Sequence, residues 1–450
     1  MILGPRLVIA GTHSGAGKTT IATGLMAAFG RRGVKVASAK VGPDFIDPSY
    51  HALATGRPGR NLDPWMCGPD AMGSLAGRAA SDAELLVIEG VMGLFDGAQD
   101  AAPSSTADVA ALLDAPVVLV VDAAGLSQSI AAVVHGYNTS DPRVGVAGVI
   151  CNRVGSARHL DILRSALEQV QVPLLGALGR DDVFSWRDRH LGLVPVVERP
   201  GAVRTALDHL ADAIERDCDL DAISRVATTA REMPVGEPEL PEPVTRVRVA
   251  VASGRAFSFM YTDNLEALAS AGAELVSFDP CEDRRLPPDC KALVVGGGFP
   301  EVYVGALADN TELLTDVRRR VDDGLVVWAE CGGLLWLADD LDGRSMAGVI
   351  PTSARMTDRL TLGYRRATTM APSPLGRSGL GLRGHEFHYS TVVAEGDGLE
   401  LTAPTGTTRG GWARPGLLAS YLHLHLGAAP ELATAFARAA AGSPEEDRSR

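Results

Sequence analysis

The first half of the chain alternates short apolar runs with longer amphipathic stretches. RLVIA, VKVASAK, ELLVIEG, APVVLVVD and VGVAGVICN are β-branched and nearly apolar throughout, as strands buried on both faces of a parallel sheet are, and helical patterns fill the intervals between them. That alternation predicts a doubly wound α/β domain. From about Asp221 to Arg246 it gives way to polar residues and then to GEPELPEPVTR, whose prolines fit neither a central strand nor a helix interior. VRVAVAS restarts the alternation, followed by a helical DNLEALASAG and the strands AELVSF, KALVVGGG and GLVVWAE, so a second α/β domain is expected. From roughly Met346 to Thr408 the sequence is rich in Gly and Thr and its periodicity weakens, which places strands there only coarsely. The expected organisation is a domain over residues 1–220, a linker over 221–245, a second domain over 246–440 and a frayed tail over 441–450.

Composition narrows the classes of function. A chain of 450 residues exceeds what one hydrophobic core fills, and 46% hydrophobic with 22% charged residues is ordinary for a globular protein. A formal net charge of -13 argues against a general binder of nucleic acid or anionic membrane, so an anionic substrate would need basic groups gathered locally. The six cysteines, Cys67, Cys151, Cys218, Cys281, Cys290 and Cys331, form no CxxC pair and no zinc-like spacing with histidine. A reduced, cytoplasmic protein is expected. MILGPRLVIAG lacks a charged n-region and a cleavage site and runs straight into a glycine-rich loop, so neither a signal peptide nor a membrane span is read.

That loop, GTHSGAGKTT, lies between a strand and a helical pattern, the context a phosphate-binding loop requires. Gly15 and Gly17 let the backbone curl so that N–H groups and a helix N-terminus face phosphate oxygens. Lys18 is expected on the β/γ-phosphates of ATP, Thr19 on Mg²⁺, and Thr12 and Thr20 beside them. Thr12 stands where the motif usually opens on glycine, with Gly11 one residue earlier. Carboxylates for Mg²⁺ come from strand ends and their loops: Glu89 closes ELLVIE, and Asp44 and Asp47 lie in KVGPDFIDPSYH. Lys40, at the end of an apolar strand, gains significance beside phosphate, and Asn152, ending AGVICN, could bond a base edge. Arg57 and Arg60, in TGRPGRNLD, are nominated to attract an anionic substrate.

Cys331 follows the strand GLVVWAE and precedes the helical GGLLWL, an arrangement that exposes a nucleophile at a strand-to-helix elbow with the helix N-terminus favouring its thiolate. Gly332 permits close approach. Gly297 and Gly298, in GGGFPE, offer backbone N–H groups for an oxyanion hole. LLASYLHLHLG supplies His423 and His425 as candidate bases, both on one side of an alternating strand.

Over almost its whole length the chain resembles the cobyrinic and hydrogenobyrinic acid a,c-diamide synthases. The resemblance rests on GTHSGAGKTT, KVGPDFIDPSYH, GRNLDPWM, VIEGVMGLFDG, RHLGLVP, AFSFMYTDNLEAL, GGGFPE, AECGGLLWL and SYLHLHL. It implies a dethiobiotin-synthetase-like P-loop domain followed by a class I glutamine amidotransferase domain. Cys331 is then the nucleophile and His423 the base, with Asp44, Asp47, Glu89 and Asp96 functional acids near metal and substrate. Ordinary class I amidotransferases carry a glutamate two residues after the histidine; here that place is His425, as in the cobyrinate and cobyrate branch. The implied substrates are a corrin precursor, L-glutamine and ATP, with Mg²⁺, and a homodimer is left open. Cobyric acid synthase and nickel-sirohydrochlorin a,c-diamide synthase share the plan. A partitioning-type ATP switch with an inert amidotransferase-like module is the rival from another class, and retention of Cys331 and His423 speaks against it.

Overall fold

The structure, a computed structural model, describes residues 1–98, 102–180, 195–237 and 240–442, and the backbone of 188–189 and 192–193. The chain divides into two compact units, Met1–Pro238 and Glu239–Arg450.

In the first unit seven parallel strands run in the order Asn61–Leu62, Val36–Val41, Leu85–Glu89, Arg6–Gly11, Val117–Asp122, Val146–Val154 and Leu174–Gly179. Both faces are covered, which is why these strands read as unbroken apolar runs. Val8, Ile88, Leu119 and Val121 enter one core and Leu7, Ile9, Val87, Val118 and Val120 the other. Helix Lys18–Arg31 follows strand Arg6–Gly11 through the glycine-rich loop.

The linker expected over 221–245 starts too early. Helix Leu220–Thr228 buries Leu220, Ile223 and Ala227, an apolar i, i+3, i+7 stripe that a polar composition hides. Met233–Pro234 then pairs antiparallel with Ile2–Leu3, and the buried Arg6 guanidinium donates to the carbonyls of Leu113 at 2.6 Å, Gly4 at 2.8 Å and Arg231 at 2.8 Å. The chain is therefore tied to the first unit to about residue 235. Of the expected tail, residues 443–450 lie outside the described residues, as does part of RHLGLVP.

The second unit holds two sheets. The first runs Ala273–Phe278, Val247–Ala252, Ala292–Val295, Val326–Glu330, Leu417–Ser420 and Trp412–Arg414, parallel except for the last pair. The second is mainly antiparallel and fills the stretch where the sequence pattern was weak. Its long strands Ile350–Thr369 and Gly381–Val392 pair with one another, with an irregularity between Met356 and Thr361. Alternate residues along the outer, half-exposed parts of these strands are polar, which blurs the apolar signal. His423–Leu424 joins this second sheet, with His423 opposite His385.

Candidate functional site

In the first unit, chemistry-bearing side chains gather at the carboxyl ends of neighbouring strands, where the order of a parallel sheet opens a crevice. Gly15 and Gly17 take left-handed φ of 81° and 102° in the turn into helix Lys18–Arg31. Gly11 explains the shifted glycine of the motif: a Cβ there would stand 2.9 Å from Lys18 Cγ, so the lysine stem needs a glycine to pass. Lys18 Nζ donates to the His13 carbonyl at 3.1 Å. Burial, then the neighbouring positive charge of Lys40, brings the Lys18 pKa down to about 8 despite Glu89, Asp47 and Asp96 nearby. An anion arriving here would restore the charge.

Lys40, Asp47 and Glu89 are buried together, with the half-buried Thr19 beside them. Thr19 Oγ1 donates to Glu89 Oε1 at 2.6 Å and approaches Asp47 Oδ2 at 3.2 Å, and Lys40 Nζ sits 2.6 Å from Asp47 and 2.8 Å from Glu89. His51 Nε2 lies 2.6 Å from the other oxygen of Glu89. Burial opposes ionisation of Glu89, yet Lys40 and His51 overcome it and hold the carboxyl below its ordinary range; Asp47, buried and facing Asp44 and Glu89, is shifted upward. Two carboxylates and a hydroxyl are the sparse oxygen set with which Mg²⁺ is bound alongside substrate phosphates, and they fit that ion better than a soft metal. No cluster of three or more His, Cys, Asp or Glu that could hold a metal occurs among the described residues.

The remaining expected residues are placed differently. Asp44 Oδ1 accepts from the N–H groups of Ile46 and Asp47 at 2.7 and 3.0 Å, which orients the start of helix Asp47–Thr55 and so aims Asp47. Asp96 accepts from Gly93 N at 2.9 Å in the loop after the Glu89 strand. Thr20 lies in the first turn of the helix, and Thr12 Oγ1 is 2.9 Å from His13 Nδ1. Asn152 is a correction: its Nδ2 donates to Ala16 O at 3.0 Å against the Gly17 backbone, and its Oδ1 accepts from Arg153 N at 2.9 Å. It braces the phosphate loop. Arg57 is another correction. Its guanidinium donates to the carbonyl of Ser81, in the loop that precedes strand Leu85–Glu89, at the opposite edge of the sheet from Glu89. Arg60 stays near the cluster through its carbonyl, which accepts from Lys40 N at 2.8 Å.

In the second unit, three adjacent strand ends build the other site. Cys331 is the N-cap of helix Gly332–Leu337 and has φ 49° and ψ -103°, a conformation unfavourable for any residue but glycine and one that turns the side chain out of the sheet. Its N–H is held by Ser420 O at 2.8 Å. His423, arriving from the neighbouring strand end, is buried. Burial disfavours its cation, but the neighbouring Cys331 and Glu330 prevail and push its pKa up to about 10. An imidazolium so placed is the counter-ion a thiolate needs.

Gly297 is not free to serve an oxyanion, because its N–H and C=O pair with Phe259 at 3.0 Å each. A Cβ on Gly297 would stand 2.6 Å from His423 Cε1, so its contribution is room for the imidazole. Gly298 and Gly332 face one another, with a Gly332 Cβ position 3.1 Å from Gly298 N, and they remain the backbone pair suited to an oxyanion. The strand that carries His423 ends at Leu424, and His425, still extended at φ -116° and ψ 109°, caps a 3₁₀ turn, accepting from Gly427 N at 3.1 Å.

Several neighbours went unassigned from sequence. Strand Gly381–Val392 carries HEFHYS across the cysteine, with Phe387 O 4.0 Å from Sγ. His388 stacks on Tyr421 with ring centroids 3.7 Å apart, and Arg365 pairs with Glu386 at 2.8 Å. The paired histidines in HEFHYS and the i, i+4 spacing of Asp47 and His51 were the signals available. Glu330 and Asn61, which donates to the carbonyls of Gly42 and Asp44 at 2.8 and 2.7 Å, stood inside quoted motifs without a role.

Comparison with known proteins follows the same division. Residues 7–194 match the CobQ/CobB/MinD/ParA nucleotide binding domain and residues 248–431 the CobB/CobQ-like glutamine amidotransferase domain. The chain is 47% identical to a hydrogenobyrinate a,c-diamide synthase of Streptomyces coelicolor, over 96% of each chain. It is 46% identical to one of Thermobifida fusca, over 97% of this chain and 96% of that one. It is 44% identical to a cobyrinate a,c-diamide synthase of Syntrophotalea carbinolica, over 96% of this chain and 98% of that one.

Proposed function

The chain belongs to the hydrogenobyrinate and cobyrinate a,c-diamide synthase family, and from that premise we propose that it converts the a and c carboxylates of such a macrocycle to amides, using glutamine as nitrogen donor and ATP as activator. The observation that carries this reading is Cys331, held at left-handed φ on a strand-to-helix elbow beside the buried His423.

Cys331 Sγ attacks the side-chain carbonyl of glutamine, and Gly298 and Gly332 N–H groups receive the oxyanion. The C–N bond breaks as His423 passes its proton to the departing nitrogen, leaving ammonia and a glutamyl thioester that water hydrolyses to glutamate. In the first unit, a substrate carboxylate oxygen attacks the γ-phosphorus of ATP, releasing ADP and leaving an acyl phosphate. Ammonia then takes the acyl carbon and phosphate departs, since phosphate is a far better leaving group than hydroxide. Lys18 and the phosphate-loop N–H groups hold the transferred phosphoryl group, Asn152 keeps the loop in shape, and Lys40 with His51 keeps Glu89 ionised. Thr19, Asp47 and Glu89 would hold Mg²⁺, which would supply charge neutralisation at the phosphates.

The reaction belongs to a reducing compartment such as the cytoplasm, a reading supported by six free cysteines. No helix among the described residues is long and apolar enough to cross a membrane. Incubation of purified protein with hydrogenobyrinic or cobyrinic acid, glutamine, ATP and Mg²⁺, followed by mass spectrometry, tests it. Two successive amidations with matching release of ADP and glutamate are expected, and failure to amidate either macrocycle overturns the assignment.

A further inference from the structure

On an unbroken strand, consecutive residues point to opposite faces, so the neighbour of a catalytic residue is normally turned away from it. The elbow at Cys331 cancels that rule. With φ 49° and ψ -103° the chain reverses direction at the cysteine, and Glu330, the last residue of strand Val326–Glu330, reaches the same imidazole that Cys331 faces. Glu330 Oε2 lies 3.4 Å from His423 Nδ1, both side chains being 2% exposed. Its Oε1 accepts from Leu424 N–H at 3.0 Å, which ties the carboxylate to the segment that carries the histidine.

We propose that Glu330 is the positioning carboxylate of the amidotransferase site, holding His423 with Nδ1–H toward itself and Nε2 toward Cys331. The proposal rests on the reading of Cys331 and His423 as nucleophile and base. It supplies the acid that the sequence lacks two residues after the histidine. His425, at that place, is occupied elsewhere: Nδ1 accepts from Gly427, Nε2 is 3.9 Å from Asp263 Oδ2, and its ring lies 4.7 Å from that of Tyr261. The charged and titratable groups around His423 are Cys331 and Glu330 from the elbow, His385 opposite it on Gly381–Val392, Glu386 and His388 from that strand, Arg365 and Tyr421. Arg365 already pairs with Glu386 at 2.8 Å, so His423 is the cation left for Glu330. A buried carboxylate without a counter-ion would be strongly unfavourable.

Glu330→Gln keeps the shape and the acceptor for Leu424 N–H, but offers its amide N–H₂ to Nδ1 and so favours the wrong tautomer. Glutamine hydrolysis should lose on the order of 10²-fold or more in kcat with little change in KM, as expected for a misoriented base. The alkaline limb of its pH profile should move to lower pH, because the imidazolium loses a stabilising charge. Ammonia-dependent synthesis should be unchanged, and Glu330→Asp should keep more activity than Glu330→Gln. A folded Glu330→Gln protein with normal kcat and an unmoved alkaline limb overturns the proposal. Should the Gln variant not fold, ¹⁵N NMR of histidine-labelled wild-type protein titrated through about pH 10, where His423 becomes neutral, decides: a ring that keeps its proton on Nε2 overturns it, one that keeps it on Nδ1 supports it. Cys331→Ala, measured in parallel, separates this failure from failure of the site reading, which would show as glutamine hydrolysis persisting without the thiol.

Discussion

The two units use the same device, a crevice at the carboxyl ends of parallel strands, for opposite electrostatic ends. In the first, formal charges of both signs are buried together: Lys40 lies between Asp47 and Glu89, and Lys18 is depressed to about 8 by burial and by Lys40. In the second, the lining is an imidazole-rich wall, with His385 and His388 held to about 3 and 4 chiefly by burial, around the raised His423. Phosphoryl transfer is governed by where charge is placed, because the protein does little covalent chemistry. Thioester formation needs one nucleophile and one proton carrier, and neighbours that stay neutral do not compete for the proton. The contrast lies in the strand-end residues and not in the fold.

The sharpest way to break that division is to remove one nucleophile. Cys331→Ala should cut glutamine-dependent amidation by about 10⁴-fold or more while leaving synthesis from ammonium salt intact. Equal loss with both donors would mean the two sites do not divide the chemistry. Lys18→Ala should cost about 10²–10³-fold with either donor, the scale of removing one preorganised charge partner, and spare glutamine hydrolysis. Near-normal amide formation from ammonia would place ATP elsewhere. Gly297→Ala sharpens the comparison by testing space rather than charge: its Cβ meets His423 Cε1 at 2.6 Å, so hydrolysis should fall by about 10–10²-fold through a displaced imidazole. Unchanged hydrolysis would show that the ring does not need that approach.

Acid provides the mildest discrimination. A histidine whose folded pKa lies below its ordinary 6.5 costs stability as pH falls below 6.5, because the unfolded chain takes the proton more readily; His385 and His388, at about 3 and 4, behave so. His423 does the reverse, contributing fully below 6.5 and losing its contribution as pH rises through about 10. The three together stabilise the second unit most near pH 6.5. In the first unit, Glu89 is held below its ordinary 4.5, so its contribution persists above that value and is lost only as pH falls further. Calorimetry with hydrogen exchange, taken from about pH 6.5 to about pH 5, should therefore show the second unit weakening before the first. A first unit that melts earlier over this range would contradict the assignment of charge.

Much of this was legible in the linear chain, because it is local. Strand periodicity, the glycines of the phosphate loop, Lys18 with Thr19 and the cysteine between a strand and a helix are each encoded within a few residues. Helix Leu220–Thr228 escaped because its stripe is short and flanked by polar residues, and the HEFHYS strand because its buried positions carry His, Glu and Ser in place of apolar residues. Side-chain direction was decided only by tertiary structure. Arg57 turns to Ser81, Asn152 to the phosphate loop, Gly297 spends its N–H on Phe259, and Glu330 swings to His423. Residue type and spacing determine which element forms and what chemistry it carries. Which partner a side chain meets depends on backbone angles at single turns and on pairing between distant strands, and these arise only from packing of the whole unit.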